Sequence, residues 1–368
     1  MLNFVAIVSA DMSRSGGGVP EAILPYIERL EKQIEIELYC FREPELSPGL
    51  LVHKVKFHKA TLGLPQGLKK SSPQIIHVHG LWSPFSAMAL RWRKRTKGPT
   101  IISPHGMLDP WALAQSAHKK ALMSALIEKT HLNGSACIHA LNQSEAKSIR
   151  AAGFTAPIAI VPNGIDIPIA VSGPAPEWMD KPTLLFLGRL HEKKGISELI
   201  QAFAMASRKL PNWRLAIAGW DDGPNNFRQE AADTGADIVF PGSLFGDDKI
   251  QAYTHAAACI LPSYSEGLPM TILEAWAFER PVFMTAACNL PEGFDADAAA
   301  EITTNPKAMA QILATKLSDP HWLATAGKNG KQLVLDRFTW DRIAQDWQDI
   351  YTWAIGASPR PHMVHDAI

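Results

Sequence analysis

Short apolar, β-branched runs alternate along this chain with longer stretches whose apolar residues recur at helical spacing. The strand-like runs of the first half are NFVAIVS (3–9), EIELYC (35–40), LLVHKVKF (50–57), QIIHVHG (74–80), PTIISP (99–104), ACIHAL (136–141) and IAIVP (158–162). Those of the second half are TLLFLGRL (183–190), WRLAIAG (213–219), DIVFPG (237–242), ACILPS (258–263), PVFMT (281–285) and AEIT (300–303). Helices are predicted at 20–32, 85–95, 111–131, 143–152, 195–209, 224–234, 246–257, 270–279, 306–317 and 319–336. This order implies an α/β chain of parallel sheets with helices on both faces. So many strands fit two sheets better than one.

The division between the two is visible in the pattern. Residues 167–182 (IPIAVSGPAPEWMDKP) carry four prolines and no periodicity, which reads as a linker. It separates a first domain, 1–166, from a second, 183–337. Residues 338–355 (FTWDRIAQDWQDIYTWAI) read as a long amphipathic helix, and 356–368 as a disordered tail.

Charge and composition narrow the function classes. The 368 residues carry 36 basic and 36 acidic side chains, for a net charge of zero. The halves differ: residues 1–180 hold 19 Lys+Arg and 14 Asp+Glu (+5), and the remainder 17 and 22 (−5). Residues 91–129, with eight basic and two acidic residues, supply much of the excess. That is too modest for a nucleic-acid partner, but RWRKRTKG (91–98) and HKKALMSALIEK (118–129) suit an anionic membrane surface as well as a solvated helix face. Cys40, Cys137, Cys259 and Cys288 lie far apart and read as reduced core thiols. The opening MLNFVAIVSA lacks a basic flank, and no apolar run is long enough to span a bilayer. The expectation is a cytoplasmic protein, peripheral to the membrane at most.

In open parallel sheets ligands bind at the carboxyl ends of strands, so the segments that follow strands matter most. Gly16, Gly17 and Gly18 lead from the first strand into a helix, where backbone N–H groups can approach an anion or simply make a flexible turn. His77 and His79 are read as pointing to opposite faces of their strand, which makes a metal pair improbable. His105, between Pro104 and Gly106, sits at a strand end and is a functional candidate. Arg189 follows a strand, and Lys194 precedes Gly195 and a helix. Cations at a helix N-terminus oppose its dipole unless an anion, such as a diphosphate, lies between them. In EGLPMTILE (266–274), Glu266 and Glu274 are either capping-box acids, with Ser263 and Thr271, or acceptors for ligand hydroxyls. The one DxD, Asp295-Ala296-Asp297, reads as a cap or surface loop. There is no HExxH, Walker A or GxSxG motif, and no metal site or cofactor is expected.

Taken in order, GGG after the first strand, SPHGML, VPNGID, FLGRLHEKKG and SEGLPMTILEAWAFERPV resemble the retaining GT-B glycosyltransferases of group 1, family 4. The likeness runs from about residue 3 to 350. It implies two Rossmann-like domains facing each other across a cleft, with the C-terminal helix crossing back to the first. It implies transfer, with retention, from a nucleotide-diphosphate sugar (a UDP- or GDP-sugar) to a saccharide or lipid-linked saccharide, in polysaccharide or lipopolysaccharide assembly. By resemblance, Arg189 and Lys194 hold the donor diphosphate, Glu266 the sugar hydroxyls and Glu274 the ribose. Backbone N–H groups at Gly267 and Leu268 contact sugar or phosphate, and Gly17 and Gly18 close over the phosphates. His105 lies near the reacting carbon, and Gly242, Ser243 and Leu244 hold the base. In ALNQSEAK (140–147), Asn142 stands where the family commonly has Ser or Thr, so no role is carried over there. The competing readings are an epimerase-like enzyme on the same fold and a non-catalytic nucleotide-sugar binder.

Overall fold

The computed structural model describes residues 1–13, 18–42, 55–59, 72–108, 127–168, 173–221, 223 and 225–366. The chain folds as two compact units: Met1–Gly164 with Trp340–Ile368, and Ile165–Thr339. In the first unit come β1 (Phe4–Asp11), α1 (Gly18–Leu30), β2 (Glu35–Arg42), β3 (Lys56–Lys59), β4 (Ile75–His79), α2 (Pro84–Thr96) and β5 (Thr100–Ser103). They are followed by α3 (Lys129–Asn133), β6 (Cys137–Ala140), α4 (Gln143–Ala151) and β7 (Ile158–Ile160). The second unit starts its sheet with β8 (Thr183–Leu187), α5 (Ile196–Ala206), β9 (Arg214–Ala218), α6 (Phe227–Thr234), β10 (Ile238–Gly242), α7 (Gly246–His255) and β11 (Ala258–Leu261). It continues through α8 (Met270–Ala277), β12 (Val282–Met284), α9 (Glu292–Asp295), β13 (Ala299–Glu301), α10 (Pro306–Lys316) and α11 (Pro320–Arg337). The chain then returns to the first unit as α12 (Trp340–Ala354) and β14 (Val364–His365).

Each sheet is doubly wound. The first has the order β14-β7-β6-β5-β4-β1-β2-β3, the second β10-β9-β8-β11-β12-β13. All pairs are parallel except β14 with β7. Burial on both faces requires unbroken apolar strands rather than alternation. Val5–Val8 of β1 and Leu184–Phe186 of β8 meet that requirement and are buried. Strand order reverses between β1 and β4 in one sheet and between β8 and β11 in the other. Those are the switch points where the crevice of such a sheet opens. Both Rossmann-like domains expected from the resemblance are therefore present.

Three expectations need correction. The tail is not disordered up to Asp366: Val364 pairs with Ala159 and His365 with Ile158. Met363 and Val364 are buried, and Arg150 Nη2 donates to Asp366 O at 3.0 Å. Composition does not register that β7 offers an open sheet edge, and backbone pairing with that edge orders a segment of low apolar content. The expected linker 167–182 is structured at its far end. A 3₁₀ turn at Glu177–Met179 buries Met179, and Arg214 Nη1 donates to Trp178 O at 2.9 Å. Last, His77 and His79 share a face, because strand residues two apart point the same way; their rings lie 4.0 Å apart. Most of the expected helix 111–131 falls outside the described residues, as does the start of the strand expected at 50–57.

Helix α12 shows why the first unit needs its late segment. Trp340, Ile343, Ala344, Trp347, Ile350 and Tyr351 recur at helical spacing and are all buried in that unit's core. Gly164 lies against Trp340 so closely that a Cβ would come within 2.8 Å of the Trp340 backbone nitrogen. Within the second unit, Ile165 N–H donates to Phe338 O at 2.7 Å.

Candidate active site

In the second unit the site is built by loops on either side of the switch point. Arg189 is exposed just past β8. The ends of β8 and β9 run unusually close there: Gly219 has φ +154, and a Cβ on it would meet Gly188 O at 1.7 Å. A 3₁₀ turn, Glu192–Lys194, follows, with His191 Nδ1 accepting from Lys193 N–H. Gly195 then adopts φ +69, and a Cβ there would lie 2.3 Å from Pro262 O. Only glycine satisfies both the left-handed turn and the contact. That contact, with Tyr264 N–H donating to Lys193 O at 2.9 Å, clamps the Lys194 loop onto the loop after β11.

The clamp brings Lys194 Nζ to 2.5 Å from Glu266 Oε1, with side chains 17% and 12% exposed. Ser263 Oγ donates to the same oxygen at 2.5 Å. Buried Ser263 is held in turn by Thr285 Oγ1, which donates to its carbonyl at 2.6 Å. Glu266 N–H donates to Ala287 O, and Asn289 Nδ2 donates to Glu266 O at 2.6 Å from a left-handed turn (φ +57). The expected capping boxes do not form: α8 starts at Met270, after Pro269. Ser263 therefore holds the carboxylate itself rather than a helix end.

Glu274 lies on the second turn of α8. Lys249 Nζ donates to its Oε1 at 2.8 Å and Tyr253 Oη to its Oε2 at 2.9 Å. Burial, then the nearby Glu274 carboxylate, pushes the Tyr253 phenol well above its usual range, so it remains a donor. Lys249 and Tyr253 stand four apart on α7, a spacing that predicts one face but not its partner. Gly242 (φ +88) ends β10 and opens the loop through Ser243 and Leu244 into α7. Gly267 is exposed and Leu268 half-buried.

The first unit carries the remaining candidates. Gly18 opens α1, with open space where a Cβ would stand; Gly17 lies outside the described residues. His105 follows β5 in a left-handed conformation (φ +53), as does Gly106 (φ +72). Glu145 fixes this loop: its Oε1 accepts from Gly106 N–H and its Oε2 from Leu141 N–H, both at 2.7 Å. Asn142 caps α4 by accepting from Glu145 N–H at 2.9 Å. Asn142 thus supplies the cap that Ser or Thr commonly gives. Glu145 went unassigned in the sequence, although N-x-x-E is a capping spacing.

His105 Nε2 lies 2.9 Å from His79 Nδ1, the first contact of a buried group that includes His77, His139, Ser103, Tyr26 and Tyr351. Burial holds these imidazoles neutral, pushing His105 down to about 3 and His139 to about 4. His77 and His79 fall well below the ordinary range for the same reason. Among the described residues, no group of three or more His, Cys, Asp or Glu could hold a metal ion.

Over 113 residues the chain is 34% identical to a sulfoquinovosyl transferase of Arabidopsis thaliana, which is 31% of this chain and 21% of that protein. The chain thus spans about a fifth of that relative's length. Anabaena Alr3699/HepE, solved in complex with UDP, superposes with a TM-score of 0.73 at 17% identity, over 96% of this chain and all of that one. WaaG, a glycosyltransferase involved in lipopolysaccharide biosynthesis, superposes with a TM-score of 0.64 at 15% identity, over 95% and 99%. At these identities the likeness establishes the GT-B fold. The model of glycosyltransferase family 4 matches residues 16–168 and that of glycosyl transferases group 1 matches 174–333. With both halves of the chain matched in order, it belongs to the group 1, family 4 glycosyltransferases.

Proposed function

We propose that this protein transfers a sugar, with retention of anomeric configuration, from a UDP- or GDP-sugar to a saccharide or lipid-linked saccharide acceptor in cell-surface polysaccharide or lipopolysaccharide assembly. The observation that carries this reading is the Lys194–Glu266–Ser263 cluster at the switch point of the second sheet, with Arg189 beside it. Transfer builds negative charge on the departing diphosphate, and Arg189 and Lys194 stabilise it without a metal. Glu266 already accepts two bonds at Oε1, which leaves Oε2 for a sugar hydroxyl. Glu274, oriented by Lys249 and Tyr253, accepts from the ribose diol. Backbone groups at Gly267 and Leu268 and at Gly242–Leu244 complete the donor pocket. His105 receives the acceptor hydroxyl. The pocket uses no cofactor.

The test is a thermal-shift screen over UDP-, GDP- and ADP-sugars, followed by product analysis. A donor at a hundred times its Kd stabilises the fold by about 2.7 kcal/mol. We expect one base to raise Tm, Glu266→Gln to lower turnover by about a hundredfold or more, and chelator to leave turnover intact. The product should keep the donor's anomeric configuration. A shift with no glycosylated product would indicate an epimerase or a binding protein; no shift with any donor would overturn the donor assignment.

A further inference from the structure

The buried polar group behind His105 has one fixed end. His139 Nε2 lies 2.7 Å from Val161 O, and a carbonyl can only accept. His139 therefore carries its proton on Nε2, and its Nδ1 must accept from Ser103 Oγ, 2.8 Å away. With its one proton committed there, Ser103 accepts from His77 Nε2 at 2.8 Å. His77 Nδ1 then accepts from Tyr351 Oη at 2.8 Å. The Tyr351 hydroxyl also neighbours that of Tyr26 as a hydrogen-bond partner. Tyr351 has given its proton to His77, so Tyr26 donates to Tyr351. Tyr26 must in turn accept from His79 Nε2 at 3.2 Å, and His79 Nδ1 accepts from His105 Nε2 at 2.9 Å. The sequence holds only while every imidazole is neutral, the state their burial favours.

We propose that this chain, from Val161 O to His105, is a one-way hydrogen-bond relay that fixes His105 as its Nε2–H tautomer and presents Nδ1 outward as a lone-pair acceptor for a substrate hydroxyl. Ser103, His77, Tyr351, Tyr26 and His79 are positioning residues that act through His105. Among the described residues no protein group bonds to His105 Nδ1. The phenol–phenol contact is the link that decides the direction. Without it, Tyr26 could donate to His79 Nε2, which would place a proton on His79 Nδ1 and reverse His105. The outward nitrogen would then be a donor.

The role of the outward nitrogen rests on the transferase reading above; the tautomers do not. Long-range ¹H–¹⁵N correlation of the full chain labelled with ¹⁵N-histidine reads which nitrogen of each ring is protonated. We expect Nε2–H at His77, His79, His105 and His139. In Tyr351→Phe the signals of His79 and His105 should move together toward the opposite tautomer while those of His77 and His139 stay. The turnover number should fall roughly fivefold, the population ratio that one hydrogen bond sets, with the donor KM unchanged. Nδ1–H at His105 in the native protein, or His79 and His105 unmoved in the variant, would overturn the relay. Should Tyr351→Phe fail to fold, Ser103→Ala breaks the same chain one step earlier and is read in the same way. If the tautomers follow this pattern but no donor binds, the relay stands and the transferase reading falls.

Discussion

Glu266 shows how a residue's role depends on what surrounds it. Two glutamates eight apart could be read from the sequence, and so could Lys194 before a glycine. The bond between them could not, because it depends on two loops 72 residues apart closing on each other. Gly195 makes that closure possible, and its substitution is a sharp test. Gly195→Ala must hold a left-handed backbone and push against Pro262 O, 2.3 Å from the new carbon. The conformational cost alone is about 1–2 kcal/mol. Urea denaturation should show at least that loss, with donor binding weakened as Lys194 moves off Glu266. Lys249, Tyr253 and Glu145 were invisible as site residues for a similar reason. Each acts on a partner from another element, and local patterning carries no signal for that.

At the scale of elements, strands and helices were largely legible, because both sheets are buried on two faces and give unbroken apolar runs. What patterning missed was what edges and faces are used for. RWRKRTKG looked like an amphipathic membrane-binding stretch. On α2, however, Trp92 is buried, and Arg93 turns inward to donate to Thr100 Oγ1, His131 O and Thr130 O. Arg91, Lys94, Arg95 and Lys97 remain exposed. We propose that these four hold the first unit on anionic lipid. At about 1 kcal/mol per cation near such a surface, flotation with phosphatidylserine vesicles should show binding lost at high salt. Reversing all four charges should abolish it, and flotation unaffected by salt or by the charge reversal would remove the idea. No described helix is long and apolar enough to cross a membrane.

The molecule as a whole distributes its acid sensitivity unevenly. His77, His79, His105, His131 and His139 all lie in the first unit, and burial lowers the pKa of each, His131 to about 3. Unfolded, they titrate near 6.5. Above that pH both states are neutral and stability is unaffected. As pH falls below 6.5 the unfolded chain takes up protons that the fold refuses, so stability drops. The loss is about 1.4 kcal/mol per such histidine per pH unit and continues until the folded pKa is reached. Denaturation at pH 7.5 and pH 5.5 should therefore show the first unit weakened at the lower pH and the second little changed. Equal loss in both units would contradict this.

The split make-up of the first unit also bears on how the protein is made. Its sheet and helices up to Gly164 leave the ribosome early, yet Trp347, Tyr351 and β14 arrive only after 175 intervening residues. The second unit is continuous and can close as soon as it emerges, whereas the first must wait, its core unsealed, for the end of translation. A message cut short in its last tenth would thus yield a finished second unit and an unfinished first one. The newborn chain has most need of chaperone protection at its oldest end.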